Sequence, residues 1–224
     1  MIYTVPTKKG LGIEIWGTRD DLEYFYDIVS KFWNDSSLSD LKGYEDKNNL
    51  ISSFSFALRK ASYGSRLNRT HSHYSLEQIP YSGFQISWVH IIFSLSALKY
   101  NMKVTGINKA DIAIFLHLEY WIERTMNDYD KIGAVNLLPY LDDAINAGNE
   151  HLYLYMRHID STFFSLGGGK NSFRKLAKLM RTAVYGTDEY NDLLNFLKSE
   201  AKKHNCKVED LELNDDDKIY AIQW

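Results

Sequence analysis

The amino-acid sequence predicts an α+β fold that is predominantly helical, with about seven helices and a small antiparallel sheet. Apolar residues recur every three or four positions over most of the chain, as in amphipathic helices. Residues 2–5 and 11–16 are rich in β-branched and aromatic side chains and flank the turn-forming segment PTKKG, which predicts a β-hairpin. Residues 218–224 alternate in polarity, so we expect a C-terminal strand that covers an edge of the hairpin.

The helices are predicted from their capping residues and their apolar periodicity. Thr18 precedes two aspartates and Asn108 precedes another periodic run, and both are typical helix N-caps. Gly64 is a suitable residue to end a helix. The predicted helices cover 18–33, 46–63, 83–102 and 108–126, and glycines divide residues 133–204 into the remaining helical segments.

Size and charge limit the classes of function. The chain has 224 residues, of which 45% are apolar and 14% aromatic, enough for one sizeable core, so we expect a single domain over 1–224. The net charge of −3 does not support non-specific nucleic-acid binding, although a local basic patch leaves that question open. The longest apolar run, residues 84–98, is interrupted by polar side chains and shorter than the ~20 residues of a membrane span.

The cysteine content points to a compartment. Cys206 is the one cysteine of the chain, so an intramolecular disulfide cannot form. This usage fits a reducing environment, and we expect a cytoplasmic location. The sequence predicts no cofactor and no metal.

Arginine and histidine are concentrated in the segment RLNRTHSHY. The Arg-x4-His spacing of Arg66 and His71 resembles the motif of the HEPN-type ribonucleases. That resemblance implies catalysis in which Arg66 binds the scissile phosphate and His71 takes part in proton transfer at the ribose 2′-hydroxyl. In this hypothesis Arg59 or Arg69 is a further candidate ligand. The alternative interpretation is an exposed or structurally paired loop. His71 and His73 could form half of a metal site, but neighbouring ligands to complete it are missing from the sequence.

Two buried-looking polar groups suggest a ligand pocket. On the predicted central helix, His90 lies on the same face as Ser87 and Ser94. It is either a hydrogen-bonded histidine of the core or part of one wall of a pocket. Glu119 shares a helical face with Glu123. Two such carboxylates indicate either a face that is solvated or paired with arginine, or a polar pocket. A small-molecule site near His90 and Glu119 is therefore one hypothesis. His158 and Asp160 are interpreted as surface or capping groups.

Four segments together resemble one family over essentially the whole chain. They are PTKKGLGIEIWG, FALRKASYGSR, GFQISWVHIIFSLSALKY and KKHNCKVEDLELNDDDKIYAIQW. Their order is similar to that of DUF6904, a bacterial family described as a domain of unknown function. The resemblance implies a bacterial cytoplasmic protein with a small sheet and many helices, and it implies no catalytic residues.

The leading functional hypothesis is a non-enzymatic interaction or accessory protein that forms a homo-oligomer or binds a protein partner. It depends mainly on the lack of a complete catalytic or cofactor motif in an aromatic-rich chain. The ribonuclease using Arg66 and His71 and the small-molecule binder near His90 and Glu119 remain alternatives.

Overall fold

The sheet has four antiparallel strands in the order β1-β2-β4-β3. A computed structural model describes residues 1–33, 36–71, 78–211 and 224, and every structural statement below concerns that part of the chain. The strands are β1 (Tyr3–Pro6), β2 (Gly12–Gly17), β3 (Leu67–His71) and β4 (Ile79–Ser87). Antiparallel pairing joins β1 to β2, β2 to β4 and β3 to β4.

The N-terminal hairpin is confirmed, but the origin of the other strands is not as expected. Both come from the middle of the chain, and β4 occupies the edge of β2 that the C-terminal strand could have covered. The predicted C-terminal strand at 218–224 lies, apart from Trp224, outside the described residues. Within the hairpin turn, Gly10 has a φ of 66°, a left-handed conformation that favours glycine, and a Cβ there would overlap the hydroxyl of Tyr129.

The described residues contain eight α-helices, where about seven were expected. They are α1 (Arg19–Ser30), α2 (Tyr44–Ser62), α3 (Trp88–Met102), α4 (Lys109–Tyr129), α5 (Lys131–Asp142), α6 (Leu152–Ser165), α7 (Gly169–Met180) and α8 (Asp188–His204). The predicted caps are observed: Thr18 and Asn108 each accept a hydrogen bond from the third residue of their helix. None of these helices has the length and hydrophobicity to cross a bilayer.

The start of the central helix was predicted wrongly. Residues 83–87 belong to β4, and α3 begins at Trp88. A continuous apolar run fits a buried strand and a buried helix equally well, because periodicity distinguishes the two only where one face is polar. Ser87 is consequently the N-cap of α3 and not a residue on its face.

One cluster of buried side chains joins the sheet to the helices. Alternate residues of two central strands, Ile13 and Ile15 of β2 with Phe84 and Ile86 of β4, contribute to it. Helix α2 packs against α3 and β4, and α6 packs against both α2 and α3. This arrangement brings the end of β4 and the first turn of α3 close to the C-terminal half of α6.

Candidate functional site

A cavity of about 340 Å³ lies where β4 passes into α3. Its walls come from α2, β4, α3 and α6, with Trp224 on one side. The volume falls in the range of about 300–1,000 Å³ that is usual for small-molecule sites. The polar residues that line it are Ser53, Arg66, Gln85, Ser87, His90 and Asp160. We call it the His90 cavity.

Ser87 connects two of these polar groups. Its Oγ accepts the backbone N–H of His90 at 2.9 Å, which caps α3. Its hydroxyl also makes a side-chain hydrogen bond with the carboxylate of Asp160 on α6. The cap of one helix therefore holds a carboxylate of another helix at the same cavity.

The imidazole of His90 is uncharged at neutral pH. Burial lowers its pKa to about 4, although a hydrogen bond to the Leu50 backbone favours the protonated form. Its Nε2 atom is buried and has no hydrogen-bond partner among the described residues. Because the ring donates to the Leu50 carbonyl, Nε2 is the nitrogen that is left as an acceptor.

The carboxyl group of Asp160 titrates close to neutrality. Burial raises its pKa to about 7, and the Ser87 hydrogen bond and the charge of Arg157 only partly oppose that increase. One oxygen, Oδ1, is buried and lacks a hydrogen-bond partner in the described part of the chain. Buried polar atoms are normally paired, so an unpaired carboxylate oxygen and an unpaired imidazole nitrogen on two residues that line one cavity indicate a site made for another molecule.

The rest of the cavity wall is aromatic and its surroundings are cationic. Phe56 and Phe164 line it, and Trp224 packs edge-on against Phe164 with 5.8 Å between the ring centroids. Arg59 and Lys60 lie over the Phe56 ring at 5.5 and 5.3 Å. Arg66 also lines the cavity and is exposed to solvent. A planar ligand in the cavity can therefore contact aromatic rings close to the polar residues Asp160 and His90.

The two residues of the predicted ribonuclease motif lie apart. Arg66 precedes β3 and lines the His90 cavity, whereas His71 is the last residue of that strand and is exposed. Five residues of extended chain separate their Cα atoms by roughly 16 Å. Within one chain this geometry does not place them around one phosphate, and the motif is on a strand instead of a helix.

The other predicted arginine and histidine ligands have separate environments. Arg59 is exposed on α2 beside Phe56. Arg69 on β3 lies 4.1 Å from the ring centre of Trp16 and donates to the Tyr3 hydroxyl, and burial lowers its pKa. His73 lies outside the described residues. Across the described ranges, no group of three or more His, Cys, Asp or Glu side chains could hold a metal ion.

His90 and Glu119 do not share a cavity. Glu119 on α4 forms an ion pair with Lys99, in the last turn of α3, and both side chains are largely buried. His90 is in the first turn of the same helix, nine residues away, or roughly 14 Å along the helix axis.

The carboxylate that shares the cavity with His90 is Asp160, which the sequence did not single out as a site residue. It was interpreted as a surface or capping group because His158 and Asp160, two residues apart on a helix, cannot face one ligand. The structure confirms that the two side chains face different directions, because His158 is exposed while Asp160 lines the cavity.

Comparison of the chain with known proteins identifies its family but no individual related protein. No curated protein and no solved structure matches the chain. One family model matches residues 2–224, which is essentially the whole length of the chain. The chain therefore belongs to the family DUF6904, whose description is "Domain of unknown function".

Proposed function

We propose that this protein is a non-enzymatic binding protein whose His90 cavity takes a small planar ligand with N–H donors, such as an amidine or an aromatic amine. One observation carries the proposal: Asp160 and His90 both line one cavity, and each has a buried acceptor atom, Oδ1 and Nε2, without a hydrogen-bond partner among the described residues. A ligand that donates to both would satisfy them.

The carboxylate of Asp160 favours a cationic ligand, against the cationic side chains that surround the cavity. Asp160 is about half ionised near pH 7, and a bound cation would stabilise the ionised form and lower its pKa. His90 is neutral there and adds an acceptor without a positive charge. Arg59, Lys60 and Arg66 are exposed, so solvent screens their repulsion of a cation in the cavity.

An accessory role in a bacterial cytoplasm fits this proposal. Ligand binding without chemistry is how many regulatory subunits sense small molecules. The cysteine of the chain, Cys206, is a free thiol, as is usual in a reducing compartment.

Benzamidine is the probe that tests the site. Isothermal titration calorimetry should detect its binding, and the affinity should rise between pH 6 and pH 8 as Asp160 ionises. The substitution Asp160→Asn keeps the shape of the side chain but removes its charge. We expect this variant to bind at least about tenfold more weakly and to lose the pH dependence, because a charge-assisted hydrogen bond contributes about 1.5–3 kcal/mol.

Two controls separate this site from a general charge effect. Asp192→Asn removes an exposed carboxylate of α8 and should leave the affinity for benzamidine unchanged. Benzoate has a similar shape and the opposite charge. If benzoate binds and depends on Arg66 while benzamidine does not bind, the cavity is an anion site and the proposal is wrong.

A further inference from the structure

Helix α4 carries an exposed apolar stripe with opposite charges at its two ends. Ile112, Leu116 and Tyr120 are 40%, 58% and 54% exposed, and their four-residue spacing places them on one face. Lys109 and Glu123 extend the same face at its N-terminal and C-terminal ends. We call these five residues the α4 stripe.

The stripe is held rigidly by the opposite face of the helix. Phe115, Leu118, Ile122 and Met126 are buried in the core, and Thr125 exchanges hydrogen bonds with Thr4 of β1. The apolar side chains of the stripe therefore cannot turn inward without unpacking α4 from the fold.

The charges at the ends of the stripe are available to a partner. Lys109 is exposed and Glu123 is partly exposed, and within the described residues neither has an ion pair. The neighbouring charges differ in this respect. Glu119 pairs with Lys99, and Arg124 pairs with Asp128 at 3.7 Å.

We propose that the α4 stripe binds the α4 stripe of a second copy of this chain, with the two helices antiparallel and Leu116 at the two-fold axis. Lys109 and Glu123 are each seven residues from Leu116, or about 10 Å along the axis in opposite directions. An antiparallel pair about Leu116 thus places Lys109 opposite Glu123 of the partner subunit, twice by symmetry, and Ile112 opposite Tyr120 of the partner subunit.

The same pattern disfavours the other arrangement. In a parallel pair Lys109 would face its own copy and Glu123 would face its own copy, which places like charges together. Five side chains a side form an interface below the usual size of stable complexes, so the dimer is reversible and depends on protein concentration. It does not require the ligand proposed for the His90 cavity.

Sedimentation velocity over a range of protein concentrations tests the apolar centre. Leu116→Glu places two carboxylates at the axis and should raise the dissociation constant by at least about 100-fold. Phe196→Glu is the matched control, since Phe196 is 52% exposed on α8 and outside the stripe. A wild-type chain that remains monomeric at every concentration, or a Leu116→Glu variant that still dimerises, overturns the proposal.

Charge reversal tests the register. Lys109→Glu and Glu123→Lys should each raise the dissociation constant of the homodimer about tenfold, because two attractive pairs become repulsive. An equimolar mixture of these two variants should form a heterodimer about as tightly as the wild type, since every pair is again opposite in charge. If the mixture is no tighter than either variant alone, the antiparallel register is wrong.

Discussion

At the scale of single residues, burial displaces two pKa values in the His90 cavity in opposite directions. Burial disfavours whichever form is charged, so it raises the pKa of Asp160 to about 7 and lowers the pKa of His90 to about 4. Both groups are therefore mostly uncharged between these values. A cavity lined by two neutral polar groups repels fewer charged ligands than a cavity lined by a fixed ion pair. A cationic ligand can then bind to the ionised form of Asp160 and stabilise it.

These shifts predict how the free energy of unfolding depends on pH. Between pH 4 and pH 6.5 folded Asp160 holds a proton that the unfolded chain has released, so its contribution to stability falls as the pH rises. Over the same interval the unfolded chain protonates His90 and the folded chain does not, so the His90 contribution rises. The two effects oppose each other in the wild type.

Single variants should separate the two effects. We expect Asp160→Asn to become more stable relative to wild type as the pH rises from 4 to 6.5, and His90→Asn to become less stable. The slope is at most about 1.4 kcal/mol per pH unit for one proton. Urea denaturation at a series of pH values measures it, with Asp192→Asn as the exposed control. If the free energy of unfolding of both variants changes with pH in parallel with that of the wild type, the pKa shifts assigned to Asp160 and His90 are wrong.

At the scale of elements, the junction of α4, α5 and α7 shows how one small residue sets a helix contact. Asp130 joins α4 to α5, accepts the Gly133 N–H at 2.8 Å and receives two hydrogen bonds from Arg174 of α7. Those Arg174 bonds lower the pKa of Asp130 to about 2. Gly133 faces the ring of Phe173, which is fully buried between Trp88 and Tyr129.

Gly133→Ala should destabilise the protein by about 2 kcal/mol, although alanine is the better helix former. The added Cβ would lie 2.5 Å from Cδ1 of Phe173, and the packed ring has little room to move. Thermal and chemical denaturation measure the loss. The control is Gly106→Ala, where a Cβ would meet nothing within 4 Å and the change should stay within about 0.5 kcal/mol. Equal stability of the two variants would mean that this helix contact is looser than described.

At the scale of the whole molecule, local signals predicted the fold class better than the position of each strand. The hairpin and the caps at Thr18 and Asn108 depend on residues close in sequence, and they are observed. Strand β4 was missed because its apolar residues continue into α3 without a break in the pattern. Its pairing with β2 connects residues about 70 positions apart, which no local pattern contains.

The candidate site was predictable only in part for the same reason. His90 could be proposed from its place in an apolar helix, but Asp160, which shares its cavity, is 70 residues further along the chain. Helix α6 brings Asp160 to the cavity through packing against α2 and α3, and sequence spacing does not encode that contact. Glu119 was a plausible partner by residue type, yet Lys99 neutralises it at the other end of α3.

The proposed ligand contact of His90 is tested by the ¹⁵N NMR spectrum of its imidazole during a titration with benzamidine at pH 7, assigned with the His90→Asn variant. Free protein should show a neutral ring with an unprotonated Nε2, because burial keeps the pKa of His90 near 4. Benzamidine should shift the Nε2 resonance as that nitrogen accepts a hydrogen bond, and Asp160→Asn should require a higher concentration for the same shift. A His90 ring that is already protonated at pH 7, or an Nε2 resonance unchanged at saturating benzamidine, would contradict the proposed site.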